Sequence, residues 1–144
     1  MNLGLLGAGL VFGIAAIGSG IGIGICGMAT IGVWKKTYIA NKPASMLMLA
    51  FAGNPLTQVF YGYILMGQIK NAAFANPENG WMYLGFSLAS AAAIGFTAVV
   101  QGKIGAVAVD ALGETGKGFA QYLIIMGVAE TVALFAMVLT MVSL

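Results

Sequence analysis

The sequence predicts an all-α membrane protein of four transmembrane helices paired as two helical hairpins, and three observations lead there. Of the 144 residues 60% are hydrophobic and only 7% charged, with a mean hydropathy of +0.99, which is too apolar for a water-soluble globule of this size. Charged and turn-forming residues gather in three short stretches, leaving four apolar segments between them. The two halves of the chain also resemble each other. A helical crossing takes about 20 mainly apolar residues, so residues 1–144 form a single multi-pass domain of the cell membrane, in contact with lipid.

The expected spans are 2–33, 44–68, 80–112 and 118–144. The opening stretch lacks the basic region and small-residue cleavage site of a signal peptide and is taken as the first span. Lys35, Lys36, Lys42 and Pro43 mark the first connection. Lys70, Asn76, Pro77, Glu78, Asn79 and Gly80 mark the second, and Gly113, Glu114, Gly116 and Lys117 the third. Lysines concentrate in cytoplasmic loops, so the first and third connections are expected in the cytoplasm. Both termini then lie on the extracytoplasmic side.

The internal likeness divides the chain into hairpin repeats 1–70 and 80–144. Offset by 81 residues, Ile23, Gly24 and Gly32 fall on Ile104, Gly105 and Gly113; offset by 74, Gly53 and Thr57 fall on Gly127 and Thr131. A repeat of this kind marks the structural unit. Leu56 then stands where the second repeat has Glu130, so only one hairpin carries the acid. Span 1 holds GxxxG pairs at 9/13, 18/22 and 20/24, and span 3 a stripe of Ala91, Gly95, Ala98, Gly102 and Gly105. Small residues let helix backbones approach closely in lipid. Such crowding suits ordinary hairpins and equally the inner circle of a multi-copy assembly.

Several functions are set aside by composition. With no histidine and one cysteine, Cys26, the nitrogen and sulfur ligands of a transition-metal site are missing. The net charge of +2 comes without a basic stripe, which argues against nucleic acid. The glycine-rich first span lacks the lysine and hydroxyl residue of a nucleotide-binding P-loop.

One acid stands out. Glu130 lies about 12 residues, or roughly 18 Å, into the last span, with no other charge in that span. An ionised carboxylate at mid-bilayer costs about 2.5–3.5 kcal/mol even on the lenient insertion scale, so such acids face partners and are functional by default. Lys103 is the only lysine inside a span; it is expected to snorkel or to lie near Asp110. Gln101 in span 3 and Thr57 and Gln58 in span 2 share the depth of Glu130, counted from the same membrane side. Two amide carbonyls, a hydroxyl and a carboxylate are hard oxygen donors around one negative charge. That set suits a dehydrated sodium ion, whereas a lone proton needs no amide oxygens. Taken singly, Thr57, Gln58 and Gln101 also fit as polar glue between helices. Pro55 removes a backbone hydrogen bond and should kink span 2, turning carbonyls such as that of Asn54 toward the site. Tyr61, one turn on, can orient Glu130, and Thr131 is a reserve ligand. A small drug or metabolite antiporter is the reading from another class; it would place its acid in an early span beside aromatic residues.

Taken together, the doubled hairpin, the glycine-rich first helix, the segment from Pro55 to Gly62, the Gln101-Gly102-Lys103 step and Glu130-Thr131 resemble the proteolipid, or K subunit, of V-type ATPases. The likeness is to the sodium-translocating bacterial form in particular. It implies a rotor ring of identical subunits turning against a static membrane partner and coupled through central-stalk subunits to a soluble head that hydrolyses ATP, with no catalysis on this chain. By position it implies Na⁺ ligands at Glu130, Gln101, Gln58, Thr57 and the main-chain carbonyl of Asn54, with Tyr61 bonded to Glu130. A ring carrying H⁺ is the alternative. Asn54 departs from the family, which usually has an apolar residue there.

Overall fold

The structure, a computed structural model, describes residues 2–144. Five α-helices run in chain order: α1 (Leu3–Ile39), α2 (Met48–Gly53), α3 (Thr57–Ala75), α4 (Gly80–Thr115) and α5 (Phe119–Val142). Two 3-10 turns, Asn54–Leu56 and Pro77–Asn79, precede α3 and α4.

Helix α1 starts at a side-chain cap. The Oδ1 of Asn2 accepts hydrogen bonds from the main-chain N–H groups of Gly4 and Leu5 at 3.1 and 3.3 Å, which satisfies two of the donors that a helix leaves free at its start. The Nδ2 of the same residue donates to the carbonyl of Ala73 at 3.3 Å, tying the start of α1 to the end of α3. Helix α4 ends at Gly116, whose φ of 65° lies in the left-handed region and whose N–H bonds to the carbonyl of Leu112. Glycine adopts that conformation without a Cβ penalty.

Three helical stretches, Leu3–Ile39, Pro77–Thr115 and Phe119–Val142, are each long and apolar enough to cross a membrane. The second expected span is not among these three and is not the continuous, kinked helix expected: α2 and α3 are separate, joined through the 3-10 turn at Asn54–Leu56. Pro55 has no N–H to continue the α-helical pattern, and the turn absorbs the break. The C-terminal ends of α1, α3 and α4 also lie beyond the expected ones. Lys35 and Lys36 stay within α1, Lys70 within α3, and Gly113 and Glu114 within α4. A lysine in the last turns can remain helical and reach the headgroups with its long stem. Asp110 forms its ion pair with Lys36 of α1 at 3.8 Å, rather than with Lys103 as its neighbour in sequence suggested; both partners are exposed, and such pairs contribute little.

The inner pair of the bundle is α1 and α4. A Cβ added at Gly18 would strike the main chain of Gly95, one at Gly22 that of Ala98, and one at Gly102 that of Gly22. Contacts of Gly4 with Tyr83, Cys26 with Gly105 and Val33 with Gly113 rise together along both helices, so α1 and α4 run parallel. Helix α3 runs antiparallel to α1, with Gly62 against Ala15 and Pro55 against Gly22. Helix α5 packs beside α4 and touches α3.

The apolar interior forms two clusters. One contains Val11, Ala15, Leu65, Ile69, Tyr83, Ile94 and Ala133. The other contains Cys26, Phe51, Val109, Leu112 and Met126. On each crossing, polar residues stand between the two: Ser19 on α1, Asn54 to Gln58 on the second, Gln101 on α4 and Glu130 on α5. The sequence thus builds a bundle with a polar layer across its middle.

Candidate ion-binding site

The polar layer is assembled from three crossings. Gln58 and Gln101 are both completely buried, and Glu130, Tyr61, Thr57 and Asn54 are half-buried. Buried amides at such a level must satisfy one another, and these do. The Nε2 of Gln58 donates to the Oε1 of Gln101 at 2.6 Å. The Nε2 of Gln101 donates to the Oδ1 of Asn54 at 2.6 Å and to the main-chain carbonyl of Met126 at 3.1 Å. The Oγ1 of Thr57 is placed to donate either to the carbonyl of Asn54 at 3.0 Å or to the Oε1 of Gln58 at 3.2 Å.

Glu130 is held separately. The hydroxyl of Tyr61 donates to its Oε1 at 2.6 Å, the short distance typical of a hydrogen bond to a carboxylate. That bond leaves Oε2 free for another partner. Among the described residues no hydrogen bond links Glu130 to the two glutamines or to Thr57.

The structure therefore brings Asn54, Thr57, Gln58 and Gln101 into one network and sets the Tyr61–Glu130 pair on the neighbouring turns of α3 and α5. Met126, whose carbonyl receives Gln101, is one helical turn before Glu130, so α5 joins both groups. Pro55 is buried against α1 at Gly22 and supports the layer from beneath. Thr131 stands apart: it is exposed, and its Oγ1 donates back to the carbonyl of Val128 at 2.7 Å.

Sequence reasoning misses two features. The side chain of Asn54, and not only its carbonyl, belongs to the network. Ser19 is 1% exposed and its hydroxyl has no hydrogen-bond partner among the described residues, while Thr30, Thr37, Ser87 and Thr97 all bond back to carbonyls of their own helices. Its register between Ala15, opposite Gly62, and Gly22, opposite Pro55, sets it level with Gln58. Depth is the signal that could have found it, masked by the run of glycines around it.

The site is thus one amide layer across a bundle of apolar helices, with a single carboxylate at that level. Comparison with known proteins finds two similarities. Residues 84–143, nearly the whole of α4 and α5, match the family model for the C subunit of ATP synthase. Over 143 residues the chain is 30% identical to the A-type ATP synthase subunit K of Methanocaldococcus jannaschii, covering 99% of this chain and 61% of that relative. The chain thus spans about three-fifths of the length of the curated relative it matches.

Proposed function

We propose that this chain is the ion-carrying subunit of a membrane rotor ring in a V/A-type ATPase, and that its cargo is Na⁺ held at Glu130. The observation that carries the reading is the fully buried Gln58–Gln101 amide pair beside a carboxylate already oriented by Tyr61. In the loaded site the free Oε2 of Glu130, the Oε1 atoms of Gln101 and Gln58, the Oγ1 of Thr57 and the carbonyl of Asn54 supply the oxygens. Thr57 then turns its hydroxyl hydrogen away from the ion. These are hard ligands with a single negative charge, the chemistry that a monovalent cation needs when it sheds water.

Assembly follows from the first helix. Gly18 and Gly22 are used against α4, whereas Gly9, Gly13, Gly20, Gly24 and Gly27 of α1 meet no neighbouring atoms. That second small-residue face supports close packing against another copy, as membrane helices do through such faces. Identical copies closing a ring would turn against a static membrane partner, with the first and third connections on the cytoplasmic side facing central-stalk subunits. Each half of the chain, 1–70 and 80–144, supplies one hairpin of the duplicated unit. The chain itself catalyses nothing; ATP is hydrolysed on other subunits.

While it faces lipid, Glu130 keeps its ion, because release would leave a bare carboxylate in hydrocarbon. Release requires a water path and a positive group from the static partner. Rotation then moves loaded sites between two aqueous paths.

A proton-carrying ring has one observation in its favour: the two amides satisfy each other and make no bond to Glu130. Both readings need the acid. Glu130→Gln in the assembled ATPase is expected to abolish ion transport while leaving ring assembly intact, and retained ion-coupled ATP hydrolysis would contradict the assignment.

A further inference from the structure

The hydrogen-bond network begins and ends on Asn54. Its main-chain carbonyl is in reach of the Thr57 hydroxyl, and its side-chain Oδ1 accepts from Gln101. The direction of the whole chain of amides is dictated by one group that can only accept, the main-chain carbonyl of Met126. The Gln101 atom that lies 3.1 Å from it must be nitrogen. The same nitrogen is 2.6 Å from the side chain of Asn54, which must therefore present its oxygen. The other end of the Gln101 amide is then its oxygen, which receives the nitrogen of Gln58. Gln58 in turn keeps its own oxygen for Thr57.

From this we propose that the Asn54 side chain is a positioning residue that determines cation specificity: together with the Met126 carbonyl it fixes the Gln101 nitrogen, so that the lone pairs left on the two glutamine oxygens are preset for a cation. The inference rests on the sodium reading above. With an apolar side chain at position 54, Gln101 loses the shorter of its two acceptor contacts and is held by the Met126 carbonyl alone. Its oxygen is then less firmly fixed where the ion needs it. A metal cation depends on several preset oxygens, whereas a proton on Glu130 depends on the carboxylate alone, so the two cargoes respond differently to Asn54.

The test compares wild type, Asn54→Leu and Asn54→Ala in the isolated oligomer, measuring retention of radioactive Na⁺ against its concentration. The smaller alanine covers the case in which leucine prevents assembly. In sodium-free buffer the pH dependence of carbodiimide modification of Glu130 is measured on the same samples. Both variants are expected to need about tenfold more Na⁺ for half-saturation, the lower end of the effect of removing a partner that orients a metal ligand. Their pH profiles should stay that of wild type. Asn54→Asp, which keeps an oxygen where Gln101 needs one, should hold Na⁺ nearly as well as wild type. Unchanged half-saturation in Asn54→Ala overturns the inference, and so does a pH profile that moves in step with the loss of Na⁺. If wild type itself retains no Na⁺, the sodium reading fails and this inference with it; if wild type retains Na⁺ and the variants match it, only the inference fails.

Discussion

The hydroxyl of Tyr61 lies 2.6 Å from the Oε1 of Glu130 and donates to it, 69 residues away in sequence. Among the described residues it is the only hydrogen bond between α3 and α5, so the orientation of the acid on one crossing depends on the phenol of another. Tyr61→Phe removes the donor and keeps the ring. Ion retention at Glu130 is expected to fall about tenfold, with the oligomer intact on a native gel. Retention equal to wild type would mean that the carboxylate is oriented by something else.

Gln101 is fully buried and bonded to three partners on two crossings. Replacing it with leucine removes a preset oxygen without touching the acid. Sodium binding should weaken much more than the reactivity of Glu130 toward a carbodiimide in sodium-free buffer. Equal losses in the two measurements would favour the proton as cargo.

The two glycine faces of α1 should separate folding from assembly. At Gly22 any side chain meets the main chain of α4 at Ala98, and at Gly24 it meets nothing in the single chain. Forcing side-chain volume into a close-packed contact costs about 1–3 kcal/mol or more. Gly22→Leu is therefore expected to disrupt the helical bundle, seen as lost helicity or heightened proteolysis. Gly24→Leu should leave the bundle folded and abolish the large oligomer. A normal oligomer in Gly24→Leu would show that this face does not join copies of the chain.

Among the described residues Ser19 carries the one buried hydroxyl without a hydrogen-bond partner. An unmade hydrogen bond of this kind costs on the order of 1–3 kcal/mol, so Ser19→Ala is expected to raise the thermal stability of the oligomer. A drop in the unfolding midpoint would show that the hydroxyl is bonded in the working assembly.

Much of the fold was legible because lipid imposes a simple rule: apolar runs long enough to cross, broken by charges. That rule located four helical segments, three of which are long and apolar enough to cross a membrane. It set their ends too early, since Lys35, Lys36 and Lys70 remain helical while reaching polar surroundings. The break at Pro55 was legible in kind, because proline removes a donor wherever it stands. Its form, a 3-10 turn between two helices, depends on tertiary packing against Gly22 that no local pattern states.

For the site, depth counted from the membrane surface was the informative quantity. It grouped Thr57, Gln58, Gln101 and Glu130 at one level, and the structure sets them in the layer between the two apolar clusters. Depth does not fix direction around a helix. Thr131, adjacent to Glu130 in sequence, is turned outward, and the split between the amide network and the Tyr61–Glu130 pair was invisible. Asn54 was legible as a departure from the family that the sequence resembles, yet only the geometry assigns its side chain a partner.

Glu130 is proposed to hold an exchangeable sodium ion inside the membrane. Carbodiimide modification of Glu130 in the isolated wild-type oligomer, followed at one fixed pH with and without Na⁺, tests it most directly. Added Na⁺ should slow the modification in a saturable way, and K⁺ at the same ionic strength should not. Modification that depends on pH alone and ignores Na⁺ would contradict the account.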